Sequence, residues 1–344
     1  MILDGCPLPI VLAPLAGGPS TPELTAAVSQ AGGFGFLAAG YLTAESLRDR
    51  LAATRRLTAR PFGVNLFVPS AAGDPRAVSR YAATLADDAA GAGVELGDPR
   101  HDDDEWEAKL GMLLEDPVPV VSFTFGLPGA DAVAALHRAG CEVWTTVNAP
   151  AQAGMALDLG ADVLVLQGAE AGGHQGGLVD PSPGFGLLAL LQLVHARTDA
   201  PLVASGGIAT GAAVAAVLAG GARAAALGTA FLTCPEAGTA AVYRQALHGT
   251  GTTALTRAFS GRTARGIVNR FMTDHPDAPA AYPEIHHLTT PLRRVARAAE
   301  NPDMVNLWAG QAFPLATGLP AAELVRQLAD EARQAATMLS RKLP

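Results

Sequence analysis

Residues 202–229 read LVASGGIATGAAVAAVLAGGARAAALGT. The segment begins with a short apolar run, turns at Ser205-Gly206-Gly207 and continues as an alanine-rich helical segment over 210–219. A second apolar run, 224–227, follows a glycine pair and ends in Gly228-Thr229. Neither run alternates with polar residues, which is typical of strands buried on both faces of a parallel sheet. The segment therefore predicts a strand–helix–strand unit.

The same succession of apolar run, turn and helical segment extends through the first 230 residues. Thr21-Pro22 and Thr43 supply start signals for two early helices, and further helical segments occupy 130–139, 150–159 and 187–197. Eight buried strands that alternate with helices favour a closed (β/α)8 TIM barrel over an open doubly wound sheet. The strand candidates are residues 10–13, 34–38, 62–67, 118–123, 142–147, 163–167, 202–205 and 224–227.

Two regions depart from this repeat. Residues 73–116 form an insertion after the third strand, with a helical stretch and the acidic run 102–105, which we expect to be a solvated loop. After residue 234 the repeat stops, and helical patterns occur near 236–246 and 323–340. We therefore expect a barrel over 1–234 and a C-terminal helical cap, which shapes the substrate pocket, over 235–344.

Composition and charge exclude several classes of protein. Of the 344 residues, 49% are hydrophobic and 16% charged, which excludes intrinsic disorder. The net charge of −8 gives no electrostatic footprint for a nucleic acid. The three cysteines lack Cys-x-x-Cys spacing, so neither a disulfide framework nor a zinc site is indicated. The first residues carry no basic segment typical of a signal peptide, and glycines interrupt the uncharged stretch 200–222. We expect a cytoplasmic protein with no membrane segment.

The ends of the seventh and eighth strands are candidates for a phosphate site. In (β/α)8 barrels a phosphate is usually held after these two strands. Gly206-Gly207 opens a helix after one of them, and Gly228-Thr229 follows the other. Glycines let the backbone approach an anion closely, and N–H groups at a helix start favour it. Tight turns alone would also explain either glycine pair, but the two together favour phosphate binding.

The sixth strand ends in the most unusual segment, QGAEAGGHQGG at 167–177. Glu170 and His174 have the spacing of helical metal ligands, but the glycines between them argue against a helix, so we expect no metal. A histidine on a glycine loop at a barrel mouth fits a proton-transfer group, because its ordinary pKa of about 6.5 lies near working pH. The alternative is a structural histidine.

Other polar residues give weaker indications. The amides of Asn65 and Gln167 could bind a heterocycle or could be satisfied within the core. His286-His287 is a tempting pair, but adjacent residues rarely converge on a metal without a third ligand. The only lysines are Lys109, in the insertion, and Lys342, so no lysine is expected at a strand end and Schiff-base chemistry is disfavoured.

Taken together, these segments resemble the nitronate monooxygenase family, which consists of flavin-dependent barrels related to the flavin-type enoyl-acyl-carrier-protein reductases. Any one glycine motif is weak, but the ordered set is specific and covers nearly the whole chain. The matching segments are APLAGG at 13–18, PEL at 22–24, GFG at 33–35, GVNLF at 63–67, the loop 167–176, SGGI at 205–208, LGTAF at 227–231, SGR at 260–262 and LWAGQ at 307–311.

The resemblance implies FMN as the cofactor and His174 as the catalytic residue. Its implied cofactor-binding residues are Pro14, Leu15, Asn65, Gln167, Gly172, Gly207, Ala226, Leu227, Gly228 and Thr229. Among them, Gly207 and 226–229 would hold the phosphate, and the others would face the flavin ring. Two departures, Gln175 where many relatives have arginine and Ala312 where glycine is common, bear on substrate preference more than on flavin binding.

The function implied is FMN-dependent oxidation of alkyl nitronates by O2 to a carbonyl compound and nitrite. Its partners would be the nitronate or nitroalkane and O2. Two alternatives stay open: an NAD(P)H-dependent enoyl-thioester reductase on the same scaffold, and a non-catalytic flavin-binding barrel. Gln167 before Gly168, together with the motif at 308–311, favours the monooxygenase. The sequence leaves open the physiological substrate, its chain length, the use of neutral nitroalkanes, reduction by NAD(P)H and assembly into a homo-oligomer.

Overall fold

The computed structural model describes residues 1–343, in which strands and helices alternate as the sequence predicts. The strands are β1 Ile10–Leu12, β2 Gly35–Ala38, β3 Phe62–Phe67, β4 Val120–Thr124, β5 Glu142–Val147, β6 Val163–Gln167, β7 Gly173–His174, β8 Leu202–Ser205, β9 Ala224–Leu227, β10 Thr253–Thr256 and β11 Ala264–Ile267. The helices are α1 Pro22–Gln30, α2 Ala44–Leu57, α3 Pro75–Thr84, α4 Ala86–Ala92, α5 Trp106–Glu115, α6 Ala130–Arg138, α7 Pro150–Asp158, α8 Leu187–His195, α9 Gly211–Ala219, α10 Ala241–Leu247, α11 Arg270–Asp274, α12 Glu284–Ala298 and α13 Ala321–Lys342.

Eight parallel strands form the predicted barrel. Their order is β1-β9-β8-β6-β5-β4-β3-β2, in which every neighbouring pair is parallel. Phe34 closes the ring, because its N–H donates to the carbonyl of Ile10 and its carbonyl accepts from the N–H of Leu12, both at 2.9 Å. The expectation of a (β/α)8 barrel is confirmed. The predicted helix starts are also present, since Thr21 and Thr43 each accept a hydrogen bond from a first-turn N–H.

The interior of the barrel is filled at one end by three aromatic rings. Phe34, Phe36 and Trp144 pack together with ring centroids 5.2–5.5 Å apart. The indole N–H of Trp144 donates to Glu142 Oε2 at 3.1 Å, so this fully buried ring has its polar partner. Aromatic residues are scarce in the chain, and these three form a rigid base beneath the strand ends.

The region 73–116 contains both added helices and a ring helix. Helices α3 and α4 pack against α12, which belongs to the tail, whereas α5 lies between α2 and α6 in the outer ring of the barrel. Helix α5 is therefore the crossover helix that joins β3 to β4. The added structure is limited to the part of the expected insertion that precedes residue 106.

The region after residue 234 is neither wholly helical nor wholly a cap. Strands β10 and β11 form an antiparallel hairpin, and β11 pairs with β7, with Ala264 opposite His174. Helix α13 packs in the outer ring between α9 and α1, where Leu324 and Leu328 are buried. The expectation of one helical cap over 235–344 is corrected in this respect, because α13 takes the place of the eighth barrel helix. The proposed domain boundary at residue 234 stays a prediction.

Within residues 1–343, no helix combines the length and the hydropathy that crossing a membrane requires. The uncharged stretch 200–222 consists mainly of β8 and α9.

Candidate active site

A cavity of about 620 Å³ opens at the carboxyl ends of the barrel strands. Its base is made of inward-facing strand residues, among them Val11, Phe36 and Trp144. Residues of α12 and of the segment 305–313 supply another wall from the tail. The carboxyl ends of the strands are where (β/α)8 barrels bind their ligands. This cavity is therefore the candidate active site.

The structure brings together all but one of the residues predicted for the site. The exception is Leu227, which is 1% exposed and packs in the core of the barrel rather than lining the cavity. The residues that line it are Pro14, Leu15, Asn65, Gln167, Gly172, His174, Gly207, Ala226, Gly228 and Thr229.

The ends of β8 and β9 present backbone amides to this cavity. The N–H groups of Gly207, Gly228 and Thr229 donate to no acceptor within residues 1–343. Gly207 has φ +68°, and a Cβ there would lie 3.1 Å from the Cβ of Glu170. A side chain at 207 would therefore be strained and crowded, while glycine leaves the amides accessible. Uncommitted N–H groups on two neighbouring strand ends suit an anionic ligand.

The start of α9 does not contribute to this amide group. Thr210 Oγ1 accepts from the N–H of Ala213 at 3.2 Å, and Glu331 Oε2 accepts from the N–H of Gly211 at 2.8 Å. The sequence led us to expect that the helix start would help to bind an anion. A carboxylate of α13 already occupies that position, so the available donors are those of the two glycine turns.

The loop that follows β6 is held in place by Gln167. Its Oε1 accepts from the N–H of Gly176 at 2.7 Å, and its Nε2 donates to the carbonyl of His174 at 3.1 Å. One amide hydrogen of Gln167 is left for a ligand. Glu170 accepts from the N–H of Leu187 at 3.0 Å with both carboxylate oxygens, so it caps α8.

Gly172 makes a close backbone approach between the glycine loop and the tail. A Cβ at this position would lie 2.4 Å from the amide nitrogen of Gly310. The N–H of Gly310 donates to Thr229 Oγ1 at 3.0 Å, and the N–H of Gln311 donates to the carbonyl of Glu170 at 3.0 Å. The segment 308–311 thereby ties the end of β6 to the end of β9.

His174 has a defined hydrogen-bond partner that the sequence did not identify. Its Nε2 lies 2.8 Å from Ser260 Oγ, and Ser260 Oγ donates to the carbonyl of Arg262 at 3.2 Å. With the serine hydroxyl donating to that carbonyl, we assign Nε2 of His174 as the donor to Ser260. The neutral ring therefore carries its proton on Nε2 and a lone pair on Nδ1.

Nδ1 of His174 accepts no hydrogen bond within residues 1–343, and this atom is not fully buried. It is therefore open to the cavity that His174 lines. Burial lowers the pKa of His174 to about 3, with the positive charges of Arg262 and Arg293 lowering it further. The sequence suggested an ordinary pKa near working pH. The structure instead gives a neutral imidazole across the physiological range.

The charged groups around the cavity are all cationic. Arg50, Arg293 and Arg297 line it, whereas no aspartate or glutamate of residues 1–343 does. Burial lowers the pKa of Arg293 to about 10, so this guanidinium still carries its charge at neutral pH. In a chain with net charge −8, this cationic lining is a local feature that favours anionic ligands.

Asn65 is positioned by the neighbouring strand. Its Nδ2 donates to Ser122 Oγ at 3.0 Å and to the Ser122 carbonyl at 3.2 Å. Its Oδ1 accepts from no donor within residues 1–343, although the residue lines the cavity. The amide is therefore fixed by one end, and its carbonyl oxygen is available to a ligand N–H.

The acidic run 102–105 is not merely the solvated loop that we expected. Asp104 pairs with Lys109 Nζ at 2.8 Å and accepts from the N–H of Tyr41 at 2.9 Å. Lys109 is 1% exposed and also donates to the carbonyl of Ala39, just after β2, at 3.1 Å. A lysine does therefore reach a strand end, contrary to expectation. It does not line the active-site cavity and instead fixes Tyr41 through Asp104; the φ of Tyr41 is +68°.

Comparison with known proteins identifies the family of the chain. The family model described as nitronate monooxygenase matches residues 6–331. A nitronate monooxygenase from Pseudomonas aeruginosa is 43% identical over 96% of this chain and 98% of its own, and one from Paraburkholderia phytofirmans is 39% identical over 98% and 95%.

Solved structures give the same result. That of a nitroalkane oxidase from Streptomyces ansochromogenes is 50% identical, with a TM-score of 0.96 over 98% of this chain and 99% of its own. A structure of FabK from Thermotoga maritima is more distant, at 25% identity and a TM-score of 0.77 over 99% and 97%. The chain therefore belongs to the nitronate monooxygenase family, the family of flavin-dependent oxidoreductases that its sequence resembles.

Proposed function

We propose that this protein is an FMN-dependent nitronate monooxygenase, which uses O2 to convert alkyl nitronates into a carbonyl compound and nitrite. The observation that carries the proposal is the pairing of a neutral His174 with a cavity whose charged lining is wholly cationic. A nitronate is a small anion with an apolar chain. The cavity arginines suit its charge, and the aromatic base of the cavity suits its chain.

The residues at the ends of β8 and β9 fit the phosphate of FMN. Three uncommitted amides, those of Gly207, Gly228 and Thr229, belong to two neighbouring strand ends that line the cavity. A single terminal phosphate matches this group, and the chain has no Gly-x-Gly-x-x-Gly segment typical of dinucleotide sites. When bound, FMN supplies the redox chemistry that takes electrons from the substrate and passes them to O2.

The remaining cofactor residues support the ring rather than the phosphate. Pro14 and Leu15 offer apolar or backbone surface, and the free carbonyl oxygen of Asn65 offers an acceptor. Gly172 has no side chain that could enter the ring site, and its neighbours in the tail lie too close to allow one. Leu227 supports this layer from the core and would not touch the cofactor.

We assign His174 the role of proton acceptor for neutral nitroalkanes. Its Nδ1 lone pair opens to the cavity, and Ser260 keeps the ring proton on Nε2. With a pKa of about 3 the imidazole is a weak base in the free protein. Removing the α-proton creates a nitronate beside it, and that negative charge raises the pKa of the new imidazolium. Preformed nitronates avoid this step, so we expect them to be the better substrates.

The direct test is the absorption spectrum of the purified protein, followed by anaerobic addition of propyl nitronate. Bleaching of the flavin band, with nitrite formed when air is admitted, is the expected result. Rapid bleaching by NADH with turnover of an enoyl thioester would instead support the reductase alternative. A flavin spectrum that neither reagent changes would indicate a non-catalytic flavin-binding barrel.

A further inference from the structure

His286 forms part of the partition between the active-site cavity and a second cavity. The second cavity, of about 390 Å³, is lined by the acidic run 102–105 and by residues after β3. The ring of His286 lines both spaces and stacks on Tyr41, with centroids 4.1 Å apart and planes at 4°. The stack holds the imidazole in one plane, so its two nitrogens have fixed directions.

The tautomer of His286 follows from its contact with Arg293. Arg293 Nη2 lies 3.3 Å from Nδ1 of His286. Nη2 also donates to the His286 carbonyl at 2.6 Å and to Thr290 Oγ1 at 2.8 Å. A guanidinium has donors only, so we assign the lone pair of the ring, not its proton, to Nδ1. Burial and the charge of Arg293 lower the pKa of His286 well below its ordinary value, which keeps the ring neutral. The single ring proton therefore resides on Nε2.

The Nε2–H of His286 has no acceptor within residues 1–343. Nε2 is not fully buried, so it is open to the cavities that meet at this ring. On the same face of α12, Thr290, Arg293 and Arg297 follow at intervals of four, seven and eleven residues and line the active-site cavity. A ligand that passes this face meets hydrogen-bond donors and no carboxylate.

We propose that His286 is a specificity-determining residue, whose Nε2–H donates to an acceptor atom on the part of the substrate remote from the nitronate. The protein would then select nitronates that carry an oxygen acceptor in their chain over plain alkyl nitronates of equal length. The inference rests on the proposed function, since it assigns the nitronate end to the region of His174.

The test compares two carboxylates that mimic the nitronate anion and cannot be oxidised. Hexanoate and 4-methoxybutanoate have the same length, but the second replaces one methylene by an ether oxygen, which only accepts hydrogen bonds. Their dissociation constants are measured by calorimetry on FMN-loaded protein. We expect the wild type to bind the ether more tightly, and His286→Phe to reduce that preference about three- to tenfold, the effect of one lost hydrogen bond.

Matched variants separate the donor from the ring. Phe preserves the stack on Tyr41, and Arg293 keeps the His286 carbonyl and Thr290 Oγ1 as acceptors. His286→Gln restores an N–H and should recover the preference, whereas His286→Leu should lose it as Phe does. His287→Phe is the control, because Nε2 of His287 is already paired with Asp102 at 2.7 Å, and it should leave the ratio unchanged.

An equal ratio in wild type, His286→Phe and His286→Leu would overturn the inference. If the carboxylates bind too weakly to measure, the ratio is taken from kcat/KM for the nitronates of nitropentane and 1-methoxy-3-nitropropane. Failure to oxidise either nitronate while the binding ratio behaves as expected counts against the proposed function and leaves the assignment of His286 in place.

Discussion

The hydroxyl oxygen of Ser260 accepts a hydrogen bond from Nε2 of His174 over 2.8 Å, and the hydroxyl donates its own hydrogen bond to the backbone carbonyl of Arg262. The residue thereby acts on the reaction through the histidine and is a positioning residue. It selects the tautomer whose lone pair faces the cavity without adding a charge beside the ring.

Ser260→Ala should reduce kcat for a neutral nitroalkane by up to about tenfold, the scale of one neutral hydrogen bond. KM for a preformed nitronate should change little, since that substrate needs no base. Ser260→Thr keeps the hydroxyl and should restore the nitroalkane rate. Equal losses for both substrate forms in Ser260→Ala would show that the serine only supports the fold.

His174→Ala should lower kcat/KM for nitroalkanes by about 10²–10⁴-fold, the usual contribution of a positioned base. The loss for preformed nitronates should be much smaller. Both substrate forms are compared at matched FMN occupancy. A structural histidine would reduce the two activities together, through lost flavin or lost fold, and wild-type rates would remove His174 from the site.

Gly207→Ala should weaken FMN binding at least tenfold, because the new Cβ enters the phosphate site at the ends of β8 and β9, which has no spare room beside Glu170. A left-handed backbone also costs a non-glycine residue about 1–2 kcal/mol. Gly93→Ala is the control for that strain, since Gly93 has φ +63° and nothing within 4 Å of its Cβ position. The measurements are Tm and the FMN dissociation constant. Native FMN affinity in Gly207→Ala would refute the phosphate site.

Acid should destabilise this protein through two neutral histidines at the cavity, His174 and His286. Folding lowers the pKa of His174 and of His286, so below a pH of about 6.5 the unfolded chain binds protons that the native state excludes. Each group then reduces the free energy of unfolding by about 1.4 kcal/mol per pH unit as the pH falls. His286→Phe should flatten this dependence by about that amount between pH 6 and 4.5 in denaturant titrations. An unchanged slope would mean that the histidine is protonated in the native state.

Lys109→Met should lower the free energy of unfolding by about 3 kcal/mol, the range for removing one partner of a buried ion pair. It leaves Asp104, whose pKa burial already raises to about 6, without its cation. The double change Lys109→Met with Asp104→Asn should recover part of the loss, because no unpaired charge remains. Equal instability of the single and double variants would assign the effect to packing.

Much of this architecture could be predicted from the sequence, because the signals for strands and turns are local. The eight barrel strands are short apolar runs bounded by glycines or prolines, and their boundaries lie within a few residues of those predicted. Gly206-Gly207 and Gly228-Thr229 could be placed together because every parallel strand of a barrel ends on the same face.

What escaped prediction depends on contacts between distant residues. Ser260 reaches His174 only because β11 pairs with the two-residue strand β7, and no periodicity marks a strand that short. The neutral state of His174 depends on burial and on Arg262 and Arg293, all set by the tertiary fold. From the sequence, Lys109 belongs only to an insertion. Its buried position follows from the packing of α5 in the outer ring.

The position of α13 between α9 and α1 also has a consequence for biosynthesis. The first helix of the ring leaves the ribosome about 290 residues before its neighbour α13, so the part of its surface that α13 covers stays exposed until then. Glu331, which occupies the start of α9, arrives with the same late helix. The barrel can therefore be completed only after α13 emerges, and a nascent chain stalled before residue 321 should bind chaperones that shield exposed helices.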